Sequence, residues 1–376
     1  MKKLFLLLFI LCTGFSCFCQ NHLPVIRATS KDVDIRVNDV LNKEVWTIVP
    51  SQRPDVYTTS VKKARITFIT DLDSISFTLK VDKPYDFIIL FNGDSAFTRA
   101  AYVDSPLDKL KKGSVYDPKD MSAFPAFTYQ SPDDSALVRL RKTYNLDSIA
   151  GKGTDAMKLI NLLHWVHNLF PHAGMLDNPE PQNAISMIND CKKDNHGINC
   201  MGFSIILNEC YLALGYKSRS VWCIGKDSTV NEAHWINLVW SPELKDWVYI
   251  DPTFDAYVMD EKGKLLSIRE VRERLVKGQT LIVNPDANLN RRRPASGDYL
   301  EIYMANELYR VRCTVRSETD AFTDVDGKVL ELVELLPLDA YQQTPKVSKK
   351  IRNGKSTVMY KTNNQDLFWQ APPDKL

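Results

Sequence analysis

After its first twenty residues the chain has no apolar run approaching the roughly 20 residues that a membrane-spanning helix needs. No later helical span is therefore expected. An excess of one charge is also missing. Against 48 Lys and Arg stand 46 Asp and Glu, and loss of Lys2 and Lys3 with an amino-terminal leader brings the remainder to balance. Nothing in that balance steers the protein toward nucleic acid, and Arg291, Arg292 and Arg293, beside Pro294 and among polar residues, read as a solvated linker. There is no Cys-x-x-Cys, and no Glu follows the histidines in the metalloprotease pattern. His164, His167 and His172 accordingly read as polar helix-face and loop residues and His196 as a loop residue. No metal or organic cofactor is implied. The sequence has neither an internal repeat nor a low-complexity segment.

What is present begins with a secretory pattern. Met1-Lys2-Lys3 precedes an apolar run from Leu4 to Cys12 and a short polar stretch, the three regions of a bacterial-type signal peptide over residues 1–19. Cleavage is expected after Cys19, giving a secreted or periplasmic protein that starts at Gln20. The rival is a lipid anchor on Cys17. Gly14-Phe15-Ser16 is a poor lipobox, because an aliphatic residue is wanted three positions before the Cys and a small one two before it. Cys191, Cys200, Cys210, Cys223 and Cys313 remain, an odd number that leaves at least one thiol free in an oxidising compartment. Cys210 and Cys223 sit in apolar patterns and read as core thiols. Cys191 is open to pairing, even with Cys200.

Three residues then stand in a telling order. Phe203, Ile206, Leu207, Cys210 and Leu214 recur at the spacing of one buried helix stripe, and Gly215 ends it. With Asn199 as N-cap, Cys200 falls in the first turn, beside unpaired backbone N–H groups and the positive end of the helix dipole, which favour a thiolate. His234 opens His-Trp-Ile-Asn-Leu-Val-Trp, and Trp247-Val-Tyr-Ile-Asp follows a polar turn, so the pattern predicts a hairpin. If Trp240 pairs with Trp247, Ile236 faces Asp251, and His234 shares the face of Asp251 one diagonal away. A slip of one residue would part them. Taken singly, a cysteine in an apolar helix is a small core hydrophobe and a strand histidine a hydrogen-bonded structural residue. Order, spacing and element type together favour a catalytic triad of Cys200, His234 and Asp251. Asp255 is a weaker third member because it lies past Pro252, and Gln182 is an upstream candidate for an oxyanion or substrate contact.

The stretch from Cys200 to Arg219 with its Leu214-Gly215-x-x-x-Arg219 ending, the His234-Trp235 pair and Trp247-Val-Tyr-Ile-Asp251-Pro-Thr253 resemble the transglutaminase-like superfamily. The resemblance covers about Asp155 to Tyr257. It implies a papain-like α+β core in which a helix-borne nucleophile, Cys200, packs on an antiparallel sheet, with His234 as base and Asp251 as the orienting carboxylate. The family's frequent His-Ala-Trp is here Ala233-His234-Trp235, which puts the indole on the opposite strand face. The implied function is an exported cysteine enzyme that attacks peptide or side-chain amide bonds through a thioester. Hydrolysis is favoured over cross-linking, since no calcium loop is evident. The alternative is an inactive scaffold of the same fold holding a glycan, peptide or envelope partner.

The flanks read differently. Strand-like stretches with close turns from about Glu44 to Asp104 predict a β-sandwich-like domain over residues 20–130. Polar, Pro-rich residues from Asp117 to Asp134 read as linker, residues 135–290 as the catalytic core, and residues 297–376 as a carboxy-terminal β-rich region whose first strand is Tyr299-Leu-Glu-Ile-Tyr. The expected partner is a peptide or protein substrate, in a cell-envelope or glycan-linked setting. Oligomeric state is not legible.

Overall fold

A computed structural model describes residues 23–42, 44–113, 115–227, 233–295, 297–341, 346–352 and 355–373. The signal sequence expected at residues 1–19 lies outside them. The chain forms two compact units that meet in sequence at Asp104 and Ser105.

The first unit is all strand. Its elements are β1 (Val25–Ala28), β2 (Asp32–Val37), β3 (Val40–Leu41), β4 (Trp46–Thr47), β5 (Asp55–Thr59), β6 (Arg65–Ile69), β7 (Ser74–Thr78), β8 (Tyr85–Phe91) and β9 (Asp94–Tyr102). They form one sheet in the order β1-β8-β9-β5 and another in the order β3-β2-β6-β7, with β4 beside β2. Period-two alternation buries Val33 and Ile35, Ile66 and Phe68, Phe87 and Ile89, and Ala96 and Ala100 in one shared core. Phe68 meets Phe87 edge-on, 5.0 Å between centroids, across the two sheets.

The second unit opens with α1 (Pro106–Lys112), β10 (Thr128–Tyr129), α2 (Ser135–Thr143), α3 (Leu146–Ala150), α4 (Asp155–His167), α5 (Ala184–Asp194) and α6 (Cys200–Ala213). Strands β11 (Ser218–Ile224), β12 (Ala233–Ser241), β13 (Asp246–Asp251) and β14 (Ala256–Met259) follow, then α7 (Ile268–Lys277) and β15 (Ile282–Val283). A π-helical segment, Asp298–Met304, runs into α8 (Ala305–Glu307). Next come β16 (Arg310–Thr314), β17 (Arg316–Ser317), β18 (Val329–Leu335), α9 (Leu338–Tyr341), β19 (Val347–Arg352), β20 (Lys355–Thr362) and α10 (Gln365–Phe368).

Nine strands form one sheet, β15-β14-β13-β12-β11-β16-β18-β20-β19, antiparallel except for the β18–β20 pair. Helix and strand are thus mixed in an α+β unit, and α6 lies deepest, buried from Gly202 to Ala213. Ser220 and Asn237 both donate to the Ser204 carbonyl, at 3.2 and 2.9 Å, which seats α6 on β11 and β12.

Three boundaries differ from the sequence reading. The first unit ends at Asp104, because the stretch expected to be linker is built into the second: buried Asp120 accepts from the Asn363 backbone N–H at 2.9 Å and from Ser122. The strands after residue 297 continue the main sheet, since β11 pairs with β12 on one side and β16 on the other. The strand expected at Tyr299 is helical. Its buried residues, Tyr299, Leu300 and Met304, recur on one helical face and not with period two.

Arg219, on β11, is fully buried with no carboxylate partner among the described residues. Its guanidinium lies over Phe127, Trp247 and Phe368, at 4.1, 4.7 and 5.6 Å from the ring centroids, and donates to the Phe368 carbonyl at 3.3 Å. Aromatic faces replace the counter-ion here.

Candidate active site

Cys200 is the first residue of α6 and is partly exposed. Asn199 caps the helix: its Oδ1 accepts from Gly202 N–H at 3.1 Å, and its Nδ2 donates to the Leu176 carbonyl at 2.9 Å. The cap fixes where the sulfur points. Cys200 Sγ lies 4.0 Å from the Ala233 carbonyl, at the start of β12.

The β12–β13 ladder runs from Ser241 opposite Asp246, through Trp240 opposite Trp247, to Asn237 opposite Ile250. That register carries His234 to the Asp251 side chain, with His234 Nε2 and Asp251 Oδ2 2.7 Å apart and both groups buried. Nδ1 is therefore the nitrogen left for Cys200. Asp251 is held by three further donors. Tyr299 Oη donates to Oδ2 at 2.7 Å, and the backbone N–H groups of Thr253 and Phe254 donate to Oδ1 at 3.0 and 3.2 Å. The Tyr249 and Tyr299 hydroxyls, 2.6 Å apart, extend the network. Since Tyr299 gives its proton to Asp251, Tyr249 donates to Tyr299. Phe254 and Tyr303 close over the imidazole edge-on, at 5.7 and 5.2 Å.

Charge distribution follows from this packing. Burial, the largest influence on Cys200, acts to raise its pKa. Hydrogen bonds to His172 and His234, the charge on His234 and the Trp235 backbone N–H oppose it and bring the thiol down to about 6. For His234 burial acts to lower the pKa, but the Asp251 charge and hydrogen bond, with Cys200 behind them, raise it. Both shifts act in the same direction, toward thiolate and imidazolium.

No family model matches the chain, and no curated protein matches it in sequence. Among solved structures it is similar to a candidate cysteine protease from Cytophaga hutchinsonii, at 14% identity and TM-score 0.24, over 35% of this chain and 40% of that one. It is similar to LapG of Legionella pneumophila at 17% identity and TM-score 0.26, over 39% of this chain and 78% of that one. It is similar also to red sea bream transglutaminase at 11% identity and TM-score 0.23, over 61% and 49% respectively. This chain spans less than half the length of the first.

The other residues singled out from the sequence separate. Asp255 turns away from His234 and bonds His164 Nδ1 at 2.7 Å. His167 faces the Pro252 carbonyl through Nδ1 at 3.0 Å and Asn288 through Nε2 at 3.2 Å. Two histidines of α4 thus brace the turn that follows Asp251. His164, Asp255 and Asp286 come within 4.8 Å of one another, a mixed set of one buried carboxylate, one exposed carboxylate and one imidazole. The Gln182 amide donates to Glu180 at 2.9 Å, within its own loop, and His196 bonds Gly197 and Asp190. Cys191, Cys210, Cys223 and Cys313 are free and buried, so none of the five thiols is paired.

The sequence reading missed His172 at the thiol and Tyr299 at the carboxylate. His172 follows the α4 histidines closely in sequence, and nothing local ties it to Cys200. Tyr299 lay in a segment read as strand.

Proposed function

We propose that the protein is an exported, transglutaminase-like cysteine enzyme that hydrolyses peptide or side-chain amide bonds through a thioester acyl-enzyme. One observation carries the reading: a partly exposed thiol at the N-terminus of a helix stands at the start of β12, next to an imidazole clamped at 2.7 Å by a buried carboxylate. In this mechanism the Cys200 sulfur forms a bond to the amide carbon while the carbonyl π electrons move to oxygen. Collapse of that intermediate expels the amine, which takes its proton from His234 Nδ1. Water then attacks the thioester, His234 accepts its proton, and the thiolate returns. Asp251, saturated by four donors, keeps the ring oriented and its charge balanced throughout. The substrate is a peptide or protein, in a cell-envelope or glycan-linked setting. Export depends on residues 1–19, and the mass of the mature amino terminus tests it.

The test of turnover uses casein peptides with and without a fluorescent primary amine, read by mass spectrometry. The expected result is cleavage products, an acyl adduct on Cys200 at short times, and loss of both in Cys200→Ala. Amine incorporated in place of water would make the reaction amide transfer. No adduct and no cleavage, with peptide binding kept in Cys200→Ala, would leave a non-catalytic scaffold as the account.

A further inference from the structure

We propose that His172 is a second imidazole partner of Cys200, whose ring N–H holds the resting thiolate and then the oxyanion formed when sulfur attacks a carbonyl. The inference rests on the reading of Cys200 as a nucleophile.

The loop that carries His172 is built against the nucleophile helix. Ile198 N–H donates to the Pro171 carbonyl at 3.2 Å and Ala173 N–H to the Ile198 carbonyl at 2.9 Å, so His172 is bridged to the residue two before Cys200. Asn290 grips the same residue from the other side: it accepts from His172 N–H at 2.7 Å and donates to the His172 carbonyl at 3.0 Å. Gly197 makes the approach possible. A Cβ there would stand 2.4 Å from the Pro171 carbonyl oxygen and 2.9 Å from Ala173 Cβ, closer than atoms pack. The His172 ring rests 6.5 Å from that of Phe203, one turn into α6, close enough to the thiol to lower its pKa. Two backbone–backbone hydrogen bonds and two to the Asn290 side chain therefore hold one partly exposed imidazole beside the start of α6. His234 is committed to Asp251 and to proton transfer, whereas among the described residues no bond ties the His172 ring to a carboxylate.

Chemically the two imidazoles divide the work. As the S–C bond forms, negative charge leaves sulfur and appears on the carbonyl oxygen about two bonds away. An N–H donor fixed beside the sulfur follows that charge without giving up its proton, and such donors act most strongly where charge develops. His234 alone supplies the proton to the leaving amine, so the balance of the step is unchanged. Among the described residues, Cys223 and Tyr303 are further ionisable groups near the thiol. Burial raises the pKa of both, so neither is charged in the neutral range.

The test compares wild type, His172→Leu, His172→Gln and His234→Gln in the full chain. Iodoacetamide alkylation of Cys200 against pH reads the thiolate directly. The expected midpoint for His172→Leu lies about one unit above wild type, while His172→Gln, which keeps an N–H, recovers most of the difference. Acylation by p-nitrophenyl acetate at a pH where the thiolate is complete in all forms reads the oxyanion, and His172→Leu should be slower by on the order of 10²-fold. A midpoint and an acylation rate equal to wild type in His172→Leu would overturn the proposal. Should that variant not fold, 15N-histidine spectra of the wild type decide: the His172 ring signals should move when Cys200 is alkylated, and signals that stay in place would overturn it. A wild-type midpoint near the ordinary thiol value of about 8.5 would instead sink the reading of Cys200 as nucleophile, whatever His172 does.

Discussion

At the scale of single residues, the site depends on a carboxylate that has no spare lone pair. Asp251 accepts from His234, Tyr299, Thr253 and Phe254, and the Tyr299 hydroxyl also takes the Tyr249 proton. Tyr299→Phe leaves the ring packing in place but strips a charge-assisted bond from Asp251 and orphans a buried hydroxyl. We expect a stability loss of about 2–4 kcal/mol by chemical denaturation, with Cys200 alkylation at neutral pH changed less than threefold, because His234 and its partner remain. A large loss of alkylation with little loss of stability would mean that Tyr299 governs the imidazole itself.

Elements bring in a different sort of coupling. Gly197→Ala would force the Pro171 carbonyl away from the start of α6 and carry His172 with it. The expected signature is a raised alkylation midpoint together with a lower melting temperature, since the Ile198 bridge weakens at the same time. Helix α6 also reaches the N-terminus of α5, where Glu209 Oε2 accepts from Ala184 N–H at 2.9 Å. Burial, with the nearby Asp320 charge adding to it, pushes the Glu209 carboxyl up to about 8. Between the unfolded value, about 4.3, and that raised one, the folded state holds more protons, so this group costs stability as pH rises. Melting curves should show wild type losing stability relative to Glu209→Gln between about pH 5 and 8, with the two converging at the acid end. Parallel curves would remove Glu209 as the cause. The hairpin that joins His234 to Asp251 was legible because two tryptophans bracket a polar turn and fix the register. The α6 stripe and its cap were legible for the same local reason. The ties of His172 to Ile198 and of Tyr299 to Asp251 span 26 and 48 positions, and no local periodicity encodes them. The carboxy-terminal strands looked like strands, but nothing in their alternation said which sheet they would join.

For the whole molecule, the thiols set a simple contrast. Burial raises Cys191 to about 11 and Cys210, Cys223 and Cys313 above the ordinary value, while Cys200 is lowered. Iodoacetamide at about pH 6.5 should therefore add a single group to the mature protein, on Cys200. A second adduct of similar rate would show that one of the other pockets opens. The two units close separate cores, so residues 105–376 expressed alone should fold and keep the wild-type alkylation midpoint. Failure to fold would mean that the second unit depends on the first. The cover over Arg219 has a further consequence. Phe368 and the carbonyl it offers lie 149 positions after Arg219, and β20, which continues the sheet past β18, is almost as distant in sequence. Until those residues are in place, the Arg219 guanidinium lacks its cover and the sheet that carries His234 and Asp251 lacks its later strands. The scaffold of the site is thus closed by segments far along the chain from it, and the sheet that carries His234 is complete only once they pack.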